Sequence, residues 1–124
     1  MANSWPRPQR ILGEIIAAYL PVAGRRTMDS AYPLCVIRKS GYNRDMINEV
    51  SLCGVEVYSR SLDEAEALAD QIFTDLIDAR LVDTPEGILD IARCEVSPQE
   101  TPVKDSDGLF CVGAIYRVST RRTD

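Results

Sequence analysis

Apolar residues recur at two different periods along the chain, and the switch between the periods predicts where helices and strands lie. Ile11, Leu12, Ile15, Ile16, Tyr19 and Leu20 fall at helical spacing, and Pro21 ends the pattern because it has no N–H to donate and its ring clashes with the preceding turn. Residues 22–33 mix Gly24, Arg25, Arg26, Asp29, Ser30 and Pro33 and read as a loop. Leu34, Cys35, Val36 and Ile37 then make a short apolar run between Pro33 and Ser40-Gly41, which predicts a strand over residues 34–38 followed by a turn. From Val50 to Arg60 the chain alternates, with Val50, Leu52, Glu56 and Tyr58 on one face and Ser51, Cys53, Val55, Val57 and Ser59 on the other. Both faces are partly apolar, so this strand is expected in the middle of a sheet. Residues 42–49 read either as a hairpin loop or as an early start of that strand at Met46.

The helical period returns at Ser61. Ser61 is placed to cap a helix, Glu64 stands three residues later as its capping-box partner, and acids crowd the positive end of the helix dipole. Leu62, Ala65, Leu68, Ala69, Ile72, Phe73, Leu76 and Ala79 make the buried stripe. The outer face carries Asp63, Glu64, Glu66, Asp70, Asp75 and Asp78, opposed only by Arg80, and is an acidic ridge. Thr84-Pro85-Glu86-Gly87 has the chemistry of a single helical turn. Residues 88–96 read as a third strand, and residues 97–108, with two prolines and Val103 as the single apolar residue, as a long exposed loop. Phe110, Val112, Ala114, Tyr116 and Val118 alternate along a fourth strand, residues 109–120, paired with the third as a hairpin. Residues 1–10 are expected to be an N-terminal arm and residues 121–124 a polar tail. The expectation is therefore one α+β domain, residues 1–124, in the order α-β-β-α-β-β, with a mainly antiparallel four-stranded sheet and both helices packed on one face.

Charge and chemistry narrow the function more by exclusion than by motif. The 124 residues hold 14 Lys+Arg against 19 Asp+Glu, a formal net charge of −5, and no His. Without His there is no His general base, no Ser-His or Cys-His nucleophile pair and no His-containing zinc site. Cys35, Cys53, Cys94 and Cys111 form no C-x-x-C pair, and the opening ten residues lack a signal peptide's apolar core, so the thiols are expected reduced and buried. No glycine-rich phosphate loop is present. Asp105-Ser106-Asp107-Gly108 lacks the later acid that a calcium loop requires. No catalytic residue, metal, cofactor or small-molecule substrate is expected. The longest apolar stretch, residues 11–20, is far shorter than the roughly 20 residues that span a bilayer, and it contains Glu14, so no membrane segment is expected. The net charge also opposes tight binding to a duplex. The doublets Arg25-Arg26 and Arg121-Arg122 read equally as partners for the acidic ridge of a neighbouring copy, which includes Asp63, Glu66 and Asp70, or as solvated surface arginines.

The order of elements carries a resemblance. A first helix closed by Pro21, a strand over residues 52–60 running straight into Ser61-Leu62-Asp63-Glu64-Ala65-Glu66-Ala67-Leu68-Ala69, and a last strand through Ile115-Tyr116-Arg117-Val118-Ser119-Thr120-Arg121 together resemble the tail terminator and tail-completion proteins of long-tailed bacteriophages. The resemblance spans nearly the whole chain and rests on element order and size. It implies a virion protein of the tail and neck, assembled in the host cytoplasm, with no enzymatic role. Such a protein closes into a six-membered ring on the finished tail tube, stops its polymerisation and docks the connector of the head. DNA passes through the lumen without tight binding. On this reading Arg25, Arg26, Asp63, Glu66, Asp70, Lys104, Asp105, Asp107, Arg121 and Arg122 are the candidate oligomer and partner contacts. A head-closure or adaptor protein of the same neck, and a cytosolic ligand-binding α+β regulatory domain, are the alternatives.

Overall fold

The computed structural model describes residues 7–27, 29–44, 48–78, 82–84, 87–103 and 108–121. In chain order the elements are α1 (Pro8–Ile16), β1 (Val22–Ala23), β2 (Leu34–Arg44), β3 (Asn48–Ser59), α2 (Leu62–Asp78), β4 (Val82–Thr84), β5 (Gly87–Thr101) and β6 (Phe110–Arg121). The expected four-stranded sheet is corrected: among the described residues six strands lie in the order β1-β2-β3-β6-β5-β4. The sheet is mostly antiparallel, and β1 runs parallel to β2. The element order is thus α-β-β-β-α-β-β-β, in place of the expected α-β-β-α-β-β. The two added strands have two and three residues, too short for a period of two to show.

Further boundaries move for physical reasons. α1 starts at Pro8, inside the expected arm, because proline's fixed φ suits the first helical turn and its missing N–H has no partner there. Residues 97–101, expected in a loop, continue β5 to Thr101. The register of β5 on β6 shifts at Leu89/Ile91, Cys94/Val96 and Val96/Gln99, and these irregularities break the alternation that would have shown the strand. Pro98 falls inside the last shift, where no ladder N–H is required. Thr84 and Gly87, expected to bracket a helical turn, are a cross-strand pair of β4 and β5. Thr84 Oγ1 donates to the Gly87 carbonyl at 2.8 Å. Gly87 has φ of 147°, a conformation that residues with a Cβ rarely adopt.

α2 forms close to the expected bounds. The Glu64 N–H donates to Ser61 Oγ at 3.3 Å, as an N-cap requires. The Glu64 carboxylate does not reach back to the Ser61 N–H. It accepts from Ser59 Oγ, which in turn accepts from the Ser61 N–H at 3.1 Å.

Strand alternation places Cys35, Ile37, Cys53, Val55, Val57, Val112, Ala114, Tyr116 and Val118 on one sheet face. There they share a single core with Ile11, Leu12 and Ile16 of α1 and Ala65, Ala69, Ile72 and Leu76 of α2. α1 lacks a side-chain cap bond and acids in its first turn, so this burial is what holds it. The opposite sheet face is covered only in part, by a second cluster of Leu34, Val36, Tyr58, Leu109 and Cys111. β3 and β6 lie between these layers in the middle of the sheet, which explains why β3 is apolar on both faces.

Candidate interaction surfaces

The outer side of α2 is the surface that the amphipathic pattern implies. Asp63, Glu66 and Asp70 are all exposed, at spacings of three and four, and so form one acidic stripe. No ion pair joins them to a cation among the described residues.

Arg25 and Arg26 sit in different surroundings. Arg25 is exposed, but Arg26 is half-buried, with its guanidinium 4.6 Å from the centre of the Tyr58 ring and Nη1 3.5 Å from the Tyr32 hydroxyl. Arg60 stacks 5.3 Å from the centre of the Tyr32 ring. Arg26 therefore helps to close the second apolar cluster, a role that its sequence neighbours gave no sign of. Arg121 is exposed, with Nη2 3.2 Å from Asp90 Oδ1. Lys104, Asp105, Asp107 and Arg122 lie outside the described residues.

Sequence reasoning missed a third surface, the open part of the sheet face away from the helices. Its exposed apolar residues are Leu52, Val96 and Ile115, at 36%, 37% and 37% exposure. Beside them is a shallow depression of about 350 Å³, lined by Arg38, Ser40, Glu56, Gln99 and Thr101. Gly54 and Gly113 floor it. A Cβ at Gly54 would meet nothing within 4 Å, whereas one at Gly113 would lie 3.4 Å from Thr101 Oγ1. Two glycines in mid-strand were the available signal, since such positions mark absent side chains or close approach. Arg117 Nε and Glu95 Oε1 pair at 2.7 Å on the same face, both well exposed, so the pair adds little stability.

Among the described residues one charged side chain lies deep in the fold. Glu49, fully buried, takes Lys39 Nζ at 2.7 Å and the Ser51 hydroxyl at 3.0 Å on Oε1. Its backbone carbonyl lies 3.5 Å from the Thr120 hydroxyl. Lys39 keeps 24% side-chain exposure and so connects this carboxylate to solvent.

The thiols are poorly suited to nucleophilic work. Desolvation pushes Cys35 and Cys53 up to about 12 and Cys111 up to about 11, and it raises half-buried Cys94 as well. Among the described residues no three His, Cys, Asp or Glu side chains are grouped to hold a metal ion. No helix among them is long and apolar enough to cross a membrane. No family model matches the chain, and no curated protein matches it.

Proposed function

We propose that this chain is a structural ring subunit of a long-tailed bacteriophage, a tail terminator that caps the tail tube, stops its growth and joins it to the connector of the head. The observation that carries the reading is the unlike chemistry of the two sides of the molecule. One side is the acidic stripe of Asp63, Glu66 and Asp70 on α2, with no paired cation among the described residues. The other is the open sheet face with Leu52, Val96 and Ile115 exposed. A closed ring needs a head-to-tail contact between unlike surfaces, and a DNA channel needs walls that repel phosphate. An apolar patch rimmed by charges fits a protein partner, here the tail tube. The subunit belongs, on this reading, to the virion and is assembled in the host cytoplasm.

Mixing the purified chain with polymerising phage tail-tube protein tests the proposal by negative-stain imaging. The expected result is tubes capped at one end and arrested in length, with Leu52→Glu/Ile115→Glu failing to cap. Uncapped tubes that grow as they do without the protein would contradict the terminator role. Binding to head connectors alone would move the assignment to a head-closure protein of the same neck.

A further inference from the structure

Gly54 stands in mid-strand with nothing among the described residues that calls for a glycine. β3 lies inside the sheet, between β2 and β6, where a residue without a side chain weakens the strand. Two ordinary reasons for a glycine are missing. Its φ is not positive, and a Cβ built on it would meet nothing within 4 Å. A larger residue fits at this position in the subunit alone, so the space above Gly54 is open to a group from outside it.

The sheet register defines the walls of this gap. Across the strands Gly54 pairs with Arg38 on one side and Ile115 on the other, and Ile115 in turn pairs with Val96. Along β3, on the same face, Leu52 precedes it and Glu56 follows. Glu56 pairs with Gly113, a second position without a side chain, and the depression includes both glycines. The walls are of two kinds. Leu52, Val96 and Ile115 are exposed and apolar. Arg38 and Glu56 carry opposite charges, and among the described residues neither is in an ion pair. An aromatic ring that ends in a hydroxyl matches this set. The ring packs on bare backbone between aliphatic walls, the Arg38 guanidinium meets its π face, and Glu56 accepts from the hydroxyl.

We infer that this depression is a socket for one tyrosine side chain of a partner protein, the tail tube on the reading above. The inference rests on the reading of this face as the tube contact and names what the contact recognises. A phenylalanine would cover Glu56 without giving it a donor, and a charged side chain of either sign would meet a like charge at Arg38 or Glu56. A second copy of the chain does not supply the ring, since no aromatic side chain is exposed among the described residues. A tyrosine seated in a pocket at the centre of a patch is also the kind of residue that carries most of an interface's binding energy.

Nuclear magnetic resonance on the full chain as a dilute monomer tests this, with N-acetyltyrosinamide as the probe. The amides of Gly54 and Gly113 are expected to shift first and saturably, upfield as a ring placed over them requires. N-acetylphenylalaninamide binds about fivefold more weakly, the worth of one net hydrogen bond, and Glu56→Ala removes that difference. Gly54→Val fills the gap: it keeps or raises the thermal midpoint, abolishes the probe shifts and fails to cap tail tubes. Shifts centred away from Gly54, or a Gly54→Val chain that caps tubes as the parent does, overturn the socket and leave the terminator reading standing. A lowered midpoint in Gly54→Val also overturns it, because the glycine then serves the fold. Probe binding at Gly54 by a chain that ignores tubes ends the terminator reading and keeps the socket.

Discussion

Lys39→Met is expected to destabilise the fold by about 3 kcal/mol, the lower end of the range for removing one partner of a buried ion pair. Glu49 is fully buried and Lys39 Nζ lies 2.7 Å from its Oε1, so the substitution leaves a carboxylate in the interior without that counter-charge. The Ser51 hydroxyl, 3.0 Å from the same oxygen, supplies a hydrogen bond but no charge. The lower end applies because Lys39 is 24% exposed, which lets solvent screen part of the interaction. Glu49→Gln is expected to cost less. It buries a neutral amide, while Lys39 can turn its ammonium into water. Urea unfolding of the two variants measures the difference. A Glu49→Gln loss equal to or larger than that of Lys39→Met would show that the pair is held by the lysine's surroundings rather than by the buried acid.

Cys35, Cys53 and Cys111 are expected to be silent toward a thiol reagent at pH 8 in the native protein, with Cys94 reacting first. Raising a thiol from an ordinary 9.0 to about 12, as for Cys35 and Cys53, lowers its thiolate fraction at that pH roughly a thousandfold. Burial of the sulfurs slows the reagent further, whereas Cys94 is only half-buried. All four thiols react once the chain is unfolded. The same shifts fix the sign of an alkaline effect. The folded state holds these protons more tightly than the unfolded chain, so their contribution to stability is complete below about pH 9 and is lost as pH rises toward about 12. The thermal midpoint is therefore expected to fall steeply above pH 9. Native Cys53 or Cys111 titrating at or below pH 8 would instead point to an activated thiol and favour an enzymatic role.

Elements with a sustained period were legible, and those without one were not. α2, expected from the cap at Ser61 and the apolar stripe that starts at Leu62, is Leu62–Asp78, and Ala65, Ala69, Ile72 and Leu76 are buried as the stripe implies. Val112, Ala114, Tyr116 and Val118 of β6 all face the core, as their alternation requires. β1 and β4 are too short to carry any period. β5 hides its last residues because three register shifts turn successive side chains out of step, and Pro98 then reads as a loop residue.

Sites follow the same division. The acidic ridge of α2 was visible because helical spacing alone places Asp63, Glu66 and Asp70 together. The stacking of Arg26 was not legible because its partners, Tyr32 and Tyr58, come from elsewhere in the chain and meet it only in the fold. Lys39 and Glu49 are ten residues apart, and their pairing needs the hairpin of β2 and β3. The patch of Leu52, Val96 and Ile115 combines three strands, which no local pattern could join.

Mass in solution, measured by light scattering across a concentration series, tests most directly whether this chain is a ring subunit. The account predicts a transition from the 13.8 kDa monomer to a closed assembly of six copies that does not grow further as concentration rises. A dimer whose mass is independent of concentration would contradict it and favour a ligand-binding domain.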